Sequence, residues 1–267
     1  MKISVVTVCY NSVDSIEETM LSVLNQTYSD VEYIIIDGGS TDGTVDIIKK
    51  YADRLVYWVS EPDKGIYDAM NKGIAAATGD YINFMNSGDR FASTNVIENC
   101  FSNLRGTPII IYGNWIESVE SMLIPKKALE LGYLSKGMPF PHQSAFIAVS
   151  YHKYHPYCLN FPIAADYNLF YNAVKQGVEF RYIDEYISVY DMNPEESISL
   201  KNQSSLIREH LLIQGMRDKK KLEWVTSMKM TEIRIRRRLK ELLPSKMVKQ
   251  VKLFLDRFRK HSDTYNK

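Results

Sequence analysis

The chain has 267 residues, 45% of them hydrophobic, and a formal net charge of +1 at pH 7. This composition is that of a globular protein with a sizeable core, and it excludes the collagen-like, low-complexity and disordered classes. Residues 217–260 contain 16 Lys or Arg and 5 Asp or Glu, which leaves a charge of about −10 for residues 1–216. The sequence therefore predicts an acidic body, residues 1–215, followed by a basic tail, residues 216–267.

Cysteine usage and hydropathy bear on the compartment. Cys9, Cys100 and Cys158 are odd in number and far apart, so we expect reduced packing residues and no disulfide framework. The apolar N-terminal run stops at Asn11, which is too short for a signal peptide, and no run approaches the roughly 18 apolar residues of a membrane-spanning helix. The sequence predicts a cytoplasmic protein without a spanning segment.

The first of three strand and loop units opens the chain. Residues Ile3 to Cys9 form an apolar run that Asn11 interrupts, and the next predicted helix carries Glu17 and Glu18 in its first turn. Acidic side chains at that place favour a helix N-terminus. The run therefore predicts a strand that leads into a helix.

The second unit contains the most distinctive stretch of the chain. The run Tyr33 to Asp37 ends abruptly in an acid and is followed by two glycines, Ser40 and Thr41. Its three isoleucines predict a strand buried on both faces, and Ser40 or Thr41 is expected to cap the next helix. By itself, Asp37 would be interpreted as a residue that orders its own turn.

The third unit repeats this arrangement. The run Asp80 to Met85 ends in the polar sequence Asn86-Ser87-Gly88-Asp89. The carboxyl ends of parallel strands meet at one edge of an open α/β sheet, and ligands bind at that edge. The three strand ends therefore predict one site.

A loop that enters a helix lies between the second and third units, from residue 58 to residue 73. Ile66, Met70 and Ile74 recur at helical spacing and predict the buried stripe of this helix. Asp68 and Asn71 are three residues apart and share a face. Polar side chains at this spacing, beside an acidic loop, favour a binding site.

The rest of the body predicts further strands and one notable helix. Strands are expected at residues 109–113, 144–149, 179–183 and 186–190, the last two as a pair, and a mobile loop is expected from 126 to 141. Asp166 precedes an amphipathic helix that ends at Gly177, a position typical of an N-cap. The order of elements predicts an α/β fold with a mixed, mostly parallel sheet flanked by helices.

The first 90 residues resemble family 2 glycosyltransferases, which are inverting enzymes of the GT-A fold that use nucleotide-diphosphate sugars. The similarity is thinner later in the body and does not extend to the basic tail. It implies a nucleotide-sugar half at residues 1–90 and an acceptor half at residues 91–215. The matching segments are Val6 to Asn11, Leu24 to Thr27, Ile36 to Thr44, Asp63 to Gly65, Asp68 to Gly73, Pro141 to Ser144 and Ala165 to Leu169.

The resemblance implies roles for individual residues. Asp37 is expected to accept a hydrogen bond from the donor base, usually uracil, and Asp166 is expected to be the general base that deprotonates the acceptor hydroxyl. His142 and Gln143 are expected to contact the acceptor or the donor phosphates, although position alone would make His142 structural. The other implied donor-binding residues are Thr7, Cys9, Tyr10, Asn11, Asp63, Lys64, Asp68, Asn71, Asn86, Ser87 and Gly88.

The metal-binding motif of the family is Asp-x-Asp-Asp, whereas this chain has Asn86-Ser87-Gly88-Asp89. Asp89 is the charged ligand that remains, and Asn86 offers a neutral amide oxygen. Because Mg²⁺ binds through one or two carboxylates plus substrate phosphates, the resemblance implies a weakly held Mg²⁺ or Mn²⁺. The alternative is a site in which Lys64 or Arg90 neutralises the diphosphate without a metal.

The basic tail contains two predicted amphipathic helices, separated by Pro244. Met228 and Ile235 lie with Leu239 and Leu242 on one face of the first helix. The apolar stripe of the second helix comprises Met247, Val248, Val251, Phe254, Leu255 and Phe258. These stripes fit either packing on the body or membrane binding. We favour an anionic membrane surface, bound through residues 217–260, over nucleic acid because apolar burial and attraction to anionic lipid act together.

These observations predict an inverting glycosyltransferase that is peripherally bound to the cytoplasmic face of the cell membrane. It would transfer a hexosyl or N-acetylhexosaminyl group from a UDP-sugar to a hydroxyl of a lipid-linked glycan or another precursor of a bacterial surface polysaccharide. Two alternatives remain open. A nucleotidyltransferase would release pyrophosphate from the donor, and a nucleotide-sugar-binding module would bind the donor without turnover.

Overall fold

The structure is a computed structural model that describes residues 1–102, 104–119, 122–192 and 201–242. The chain divides into two compact units, residues 1–202 and 203–267. The composition shift predicts a boundary after residue 215, but Gly215 lies between two helices of the second unit, with φ of 99°. Because those two helices pack against each other, the division falls before both of them.

The first unit is built around one sheet, and the strands expected at residues 3–9, 33–37, 80–85, 109–113 and 144–149 are all present in it. Three further strands were not predicted: residues 57–60, which overlap the start of the predicted loop, residues 90–91, and the hairpin partner at residues 122–126. The strands are β1 (Ile3–Cys9), β2 (Val31–Asp37), β3 (Tyr57–Ser60), β4 (Tyr81–Phe84), β5 (Arg90–Phe91), β6 (Ile110–Val119), β7 (Met122–Lys126), β8 (Ala145–Ala148) and β9 (Phe180–Asp191).

Helices connect these strands, and short 3-10 helices occur at Ala52–Arg54, Leu131–Ser135 and His142–Ser144. The α-helices of the first unit are α1 (Ile16–Leu24), α2 (Thr44–Lys50), α3 (Ile66–Ala76), α4 (Val96–Phe101), α5 (Val149–Tyr154) and α6 (Ala165–Lys175). The second unit contains α7 (Gln203–Ile213) and α8 (Lys219–Leu242).

The strand order is β3-β2-β1-β4-β8-β6-β9-β5, with β7 attached to β6. β3, β2, β1 and β4 are parallel to one another. β8 is antiparallel to both β4 and β6, and β6 is parallel to β9. The sheet is therefore mixed and mostly parallel, as the sequence predicts, and its parallel half contains the three strand ends of interest.

β1 is buried along its whole length because helices pack on both of its faces. Val5 belongs to the same core cluster as Ile16 and Met20 of α1. Val6 points to the other face, where α3 approaches so closely that a Cβ on Gly73 would lie 2.5 Å from Val6 Cγ1. Because helices cover both faces, the residues of β1 are apolar along most of the strand instead of alternating between apolar and polar.

Two sequence predictions about local structure are wrong. Residues 179–191 form one long strand, β9, whose pairing with β6 contains two register shifts, rather than two strands. Neither Ser40 nor Thr41 caps α2, since the helix follows Gly43 directly. The Asp42 carboxylate accepts the Thr44 N–H at 3.0 Å and provides the stabilisation expected of a cap.

The segment from 126 to 141, predicted as a mobile loop, begins within β7 and contains a 3-10 helix. Leu134 and Phe140 are buried, and the Tyr167 hydroxyl donates to the Leu134 carbonyl at 2.5 Å. The rings of Phe140 and Phe170 also pack edge to face, with centroids 5.1 Å apart, so the segment is anchored to α6 at two points.

The second unit confirms one of the two predicted tail helices. α8 covers the first of them, whereas the helix predicted after Pro244 lies outside the described residues. Within the described ranges, no helix combines the length and the apolar character needed to cross a membrane. Cys9, Cys100 and Cys158 are all free thiols, the first two buried, in agreement with packing roles.

A buried carboxylate ties the N-terminus to the amino end of the sheet. Glu32 is 1% exposed. Its Oε2 lies 2.5 Å from Lys2 Nζ, and its Oε1 accepts the N–H groups of Thr78 and Gly79. Burial alone would raise the pKa of Glu32, but the hydrogen bonds outweigh burial and lower the pKa to about 2.

We expect Glu32→Gln to lower the free energy of unfolding at pH 7 by about 2–4 kcal/mol, because the amide leaves buried donors and an ammonium group poorly matched. The native pKa lies below the ordinary value of 4.5. The stability from ionised Glu32 is therefore complete above about pH 4.5 and is lost as the pH falls towards 2. Urea denaturation at pH 7 and pH 3 measures the difference, with the exposed Glu179→Gln as control. A deficit that persists undiminished at low pH would contradict this account.

Candidate active site

The carboxyl ends of neighbouring parallel strands lie side by side at one edge of the sheet. Cys9 of β1 is opposite Asp37 of β2, and Asp37 is opposite Ser60 of β3. β4 runs parallel to β1 on its other side, so residues 86–89 emerge at the same edge. The structure therefore brings together the strand ends that the sequence predicts to converge.

Asp37 is fully buried, and its carboxylate is saturated with donors. Oδ2 accepts the N–H groups of Gly39 and Ser40 at 3.1 and 2.9 Å and the Ser60 hydroxyl at 2.6 Å. Oδ1 accepts the Ser40 hydroxyl at 2.5 Å and faces Cys9 Sγ at 3.4 Å. Burial raises the pKa of Asp37, but these hydrogen bonds outweigh it and leave the pKa below its usual value. Asp37 thus joins three strand ends, and the implied contact with a uracil base requires one of these donors to be displaced.

Asn11 connects the loops that follow β1 and β2. Its backbone has a φ of 47°, a conformation that Asn tolerates better than most residues. Its N–H donates to Ser40 Oγ at 2.7 Å, and its Oδ1 accepts the Thr41 N–H at 3.0 Å. The implied donor-binding residue therefore also fixes the shape of this edge.

Gly38 allows the loop after β3 to approach the loop after β2. A Cβ at Gly38 would lie 2.6 Å from Asp63 Oδ2 and 3.4 Å from Tyr10 Cδ2. Asp63 Oδ1 accepts the Gly65 N–H at 2.7 Å, which bends the chain into α3. The Tyr10 side chain is 64% exposed, so its ring is accessible to a ligand beside Asp63.

Lys64 and Asp68 lie at the start of α3. The Lys64 N–H donates to Asp68 Oδ2 at 3.0 Å, which ties the loop to the first turn of the helix. The Lys64 side chain is exposed, and both interpretations of it, phosphate contact and solvated surface, fit this position. Lys72 on the same helix pairs with Glu61 at 2.7 Å.

Two of the residues that the resemblance implies as donor-binding instead bond to other parts of the protein. Thr7 is fully buried, and its hydroxyl bonds to the Tyr33 hydroxyl at 2.8 Å and the Met85 carbonyl at 2.7 Å. Asn71 uses both ends of its amide on the backbone of Tyr157, each at 2.9 Å. In this structure neither side chain is free to contact a donor, and both support the residues around the site.

Asp166 lies in the first turn of α6 rather than before it, because the helix follows Ala164. Its side chain is 17% exposed. Oδ1 accepts the Tyr67 hydroxyl at 2.9 Å and the Tyr167 N–H at 2.8 Å, and Oδ2 lies 3.4 Å from His142 Nδ1. Burial raises the pKa of Asp166, but the hydrogen bonds, led by that of His142, outweigh burial and hold the pKa below its usual value. Asp166 is therefore a partly accessible carboxylate that is held ionised.

His142 links Asp166 to the loop after β4. Its Nε2 lies 3.1 Å from Asn86 Nδ2, and an amide nitrogen can only donate. Nε2 therefore accepts, which places the proton of a neutral imidazole on Nδ1, where it donates to Asp166.

Asp89 stabilises the same loop through buried hydrogen bonds. Its Oδ2 accepts Gln143 Nε2 at 2.6 Å, and its Oδ1 accepts the Asp191 N–H at 3.1 Å. Burial is the dominant influence and raises the pKa of Asp89 to about 6. Gln143 is itself buried, so its implied acceptor contact is replaced in this structure by a contact with Asp89.

The metal-binding role of Asp89 stays a prediction. Each Asp89 oxygen accepts one hydrogen bond from the protein, so an ion would use the remaining lone pair of an oxygen or compete with Gln143 for Oδ2. Asn86 Oδ1 is buried without a hydrogen-bond partner among the described residues, but it is a single neutral oxygen. Within the part of the chain that the structure describes, no group of three or more His, Cys, Asp or Glu side chains is arranged to hold a metal ion.

The neighbours of Asp89 also differ from expectation. Ser87 Oγ lies 3.1 Å from Ser15 Oγ, and the Gly88 N–H donates to Thr19 Oγ1 at 3.1 Å. Both implied donor-binding residues are thus tied to α1 and its preceding turn. Arg90, the alternative counter-charge for the diphosphate, pairs with Glu18 Oε1 at 3.2 Å.

Sequence reasoning missed Tyr67 and Ser60. Tyr67 immediately precedes Asp68 but lies on the buried face of α3, where an aromatic residue is interpreted as part of the hydrophobic core. Ser60 is the last residue of β3, and a polar residue at the end of a parallel strand is the same signal that marked Asp37. Because residues from 58 onward were assigned to a loop, β3 was not recognised and this signal was not applied to Ser60.

The parallel half-sheet, the polar ends of its strands and the carboxylate that α6 brings beside them define the GT-A class of α/β folds. The chain belongs to glycosyl transferase family 2, whose profile matches residues 4–153. The match includes Asp37, Asp89 and His142 and ends before Asp166. The resemblance seen in the sequence is therefore confirmed at the level of the family.

Curated relatives carry glycosyltransferase names. Rv1514c of Mycobacterium tuberculosis, an uncharacterized glycosyltransferase, is 35% identical over 171 residues, which are 61% of this chain and 65% of the relative. WfaP of Escherichia coli, named UDP-Glc:alpha-D-GlcNAc-diphosphoundecaprenol beta-1,3-glucosyltransferase, is 39% identical over 95 residues, 35% of this chain and 38% of the relative. The chain thus aligns with less than two thirds of the length of these relatives.

Solved structures share the fold at low sequence identity. Residues 1–349 of S. aureus TarS in complex with UDP-GlcNAc superpose with a TM-score of 0.65 at 17% identity, covering 82% of this chain and 68% of that one. The mannosyltransferase PcManGT of Pyrobaculum calidifontis in complex with GDP-Man and Mn²⁺ gives a TM-score of 0.63 at 15% identity, covering 81% and 65%. The expected fold is confirmed by these likenesses.

Proposed function

We propose that the chain is an inverting glycosyltransferase that moves a sugar from a UDP-sugar to an acceptor hydroxyl, with Asp166 as the general base. The observation that carries this proposal is the Asp166 carboxylate, held ionised by Tyr67, the Tyr167 N–H and His142. Among the described residues Oδ2 faces only His142, so a lone pair of that oxygen can accept the proton of a hydroxyl.

The reaction follows from this arrangement. The acceptor oxygen attacks the anomeric carbon opposite the diphosphate, its proton passes to Asp166 Oδ2, and the bond from the anomeric carbon to the diphosphate oxygen breaks to release UDP. One base is sufficient for such a displacement, and no covalent nucleophile is required. The hydrogen bonds from Tyr67 and His142 keep the carboxylate oriented and ionised before the transfer.

A UDP-sugar donor and a lipid-linked acceptor are supported by relatives. WfaP is named for UDP-Glc and a diphosphoundecaprenol acceptor, and the TarS structure contains UDP-GlcNAc. In this chain the implied donor residues Tyr10, Asn11 and Lys64 are exposed at the sheet edge, and Asp63 and Asp68 are half-buried there. A lipid-linked acceptor also accounts for a basic tail, and we propose that residues 217–260 hold the protein at the inner face of the membrane.

The divalent metal remains a prediction. PcManGT is described with Mn²⁺, but Asp89 is engaged with Gln143 and the Asp191 N–H, and no step above depends on an ion. Initial rates with Mg²⁺, with Mn²⁺ and after exhaustive EDTA treatment measure the dependence directly. Undiminished turnover in EDTA would remove the metal from the proposal.

The decisive experiment follows the fate of the donor. The purified chain is incubated with UDP-glucose, UDP-galactose or UDP-GlcNAc, with and without polyprenyl-diphosphate-linked sugar acceptors, and both UDP and pyrophosphate are quantified. We expect UDP, released faster with a suitable acceptor. Pyrophosphate released in a parallel incubation with UTP and a sugar 1-phosphate would identify a nucleotidyltransferase, and donor binding by calorimetry without release under any condition would identify a binding module.

A further inference from the structure

The second unit carries an exposed apolar stripe on α8. Trp224, Met228 and Ile235 are 63%, 52% and 51% exposed. Residues four and eleven positions after the first fall within about 40° of it around an α-helix, so the three side chains form one stripe. Large apolar side chains that line up on a surface mark an interaction site more often than scattered ones do.

The stripe is not the face that α8 uses for internal packing. Leu222 and Thr226, on the opposite side of the helix, are buried, and α8 packs against α7. The inward face of the helix is therefore already occupied. The stripe formed by Trp224, Met228 and Ile235 points elsewhere.

Cations border the stripe. Lys220, Lys221 and Arg238 are exposed and lie at helical positions within about 60° of it, where the half-buried Glu232 is also placed, so the border is basic by three charges to one. An apolar stripe with a basic border and a Trp side chain is the pattern of a helix that lies in the interface of a membrane.

A groove between α7 and α8 extends from the inward face of α8, where Leu222 and Thr226 line it, to Ser227 and Thr231 on the side nearer the stripe. Its polar lining includes the hydroxyls of Ser204 and Ser227 and the guanidinium groups of Arg208 and Arg234, and Glu223 also contributes. Within the described residues, neither arginine forms an ion pair with an acidic side chain. Two guanidinium groups beside hydroxyl donors match the geometry and charge of a phosphate.

We propose that α8 lies on a bilayer that contains anionic phospholipid, with the stripe in the interfacial layer and the groove around one lipid phosphate. This inference rests on the proposed membrane association and assigns it to named side chains. A bilayer is favoured over a protein partner because it supplies both complements at once, an apolar layer for the stripe and a dense array of phosphates for the bordering cations.

Fluorescence of Trp224 tests the stripe. The sequence has three tryptophans, and Trp58→Phe with Trp115→Phe leaves Trp224 as the reporter in the full chain. We expect a blue shift, and quenching by bromine-labelled lipid, with vesicles of phosphatidylcholine and phosphatidylglycerol but not with phosphatidylcholine alone.

Matched substitutions test each part of the surface by vesicle co-sedimentation. Trp224→Ser is expected to weaken binding about tenfold or more, whereas Tyr154→Ser, an 86% exposed aromatic residue of the first unit, is expected to have no effect. Arg234→Gln is expected to weaken binding about fivefold. Arg237→Gln removes the same charge from the same helix outside the groove and is expected to have a smaller effect.

The outcomes separate this inference from the proposals on which it rests. Vesicle binding without quenching of Trp224 would overturn the stripe and leave membrane association intact, and equal losses for Arg234→Gln and Arg237→Gln would overturn the groove. Absence of vesicle binding would overturn both the inference and the membrane association, while UDP release reports on the enzyme independently. Concentration-dependent self-association without lipid that protects Trp224 from soluble quenchers would assign the stripe to a second copy of the chain.

Discussion

Asp166→Asn is expected to lower the kcat of sugar transfer by about 10²- to 10⁴-fold, the contribution that a positioned general base makes. The amide cannot accept a proton as the acceptor oxygen attacks. Its oxygen can still accept the Tyr167 N–H and the Tyr67 hydroxyl, so α6 and α3 are expected to remain in place. Donor affinity should change little because Asp166 is not among the residues implied to bind the nucleotide.

Single-turnover transfer and calorimetric titration with UDP measure the two quantities separately. Asp46→Asn is the matched control, since its exposed carboxylate on α2 makes a single surface pair with Lys49. Asp166→Asn with near-normal kcat would remove Asp166 from the role of base. A loss of UDP affinity equal to the loss of kcat would assign Asp166 to donor binding instead.

β1, β2 and β4 of the parallel half, and the convergence of their ends, were predictable from the sequence, whereas β3 falls in a stretch that was assigned to a loop. β1 and β2 are rich in β-branched apolar residues and are followed by polar residues, so both the strands and the edge at which they end are encoded locally. The register that places Cys9, Asp37 and Ser60 in one row then follows from parallel pairing. Local signals of this kind are sufficient when the strand is buried on both faces.

Side-chain direction within those strands was not predictable. In a strand covered on both faces, the residues that point to either face are mostly apolar. Nothing in the sequence therefore distinguishes Thr7, whose buried hydroxyl bonds to Tyr33 and Met85, from a residue that lines a pocket. Asn71 was placed on the same face as Asp68 by helical spacing alone. Its actual partner, the backbone of Tyr157, is 86 residues away.

The catalytic side of the site depends on contacts that only the tertiary structure supplies. Tyr67 meets Asp166 across 99 residues, and Gln143 meets Asp89 across 54. An isolated Asp after a glycine in a turn is typical of an exposed ligand. Nothing in the sequence therefore indicated that Asp89 is buried against Gln143. The main strands and helices could be predicted from local sequence patterns. The surroundings of Asp166 and Asp89 could not, because they depend on contacts between segments that are far apart in the chain.

His142→Gln is expected to move the acidic limb of the kcat profile to higher pH and to lower the plateau about tenfold. The Nδ1–H of His142 donates to Asp166, and a hydrogen bond to the charged form of an acid lowers its pKa. Without this donor the pKa of Asp166 rises, so a larger fraction of the base is protonated at any given acidic pH. The rate of transfer is then lost at low pH and reaches its plateau once Asp166 is ionised. The plateau itself is lower because the carboxylate is no longer held in its orientation by His142.

His142→Asn is the matched variant, because the Asn amide nitrogen occupies the place of Nδ1 whereas the Gln amide nitrogen occupies the place of Nε2. We expect His142→Asn to keep the acidic limb close to that of the wild type. Asp89 also interacts electrostatically with His142 and has a raised pKa of about 6, so its own titration could affect an acidic limb, and both variants are repeated in an Asp89→Asn background. A shift that persists there belongs to Asp166. If both variants instead weaken UDP binding and leave the limb unmoved, His142 is a contact to the donor phosphates and Asp166 is ionised without its help.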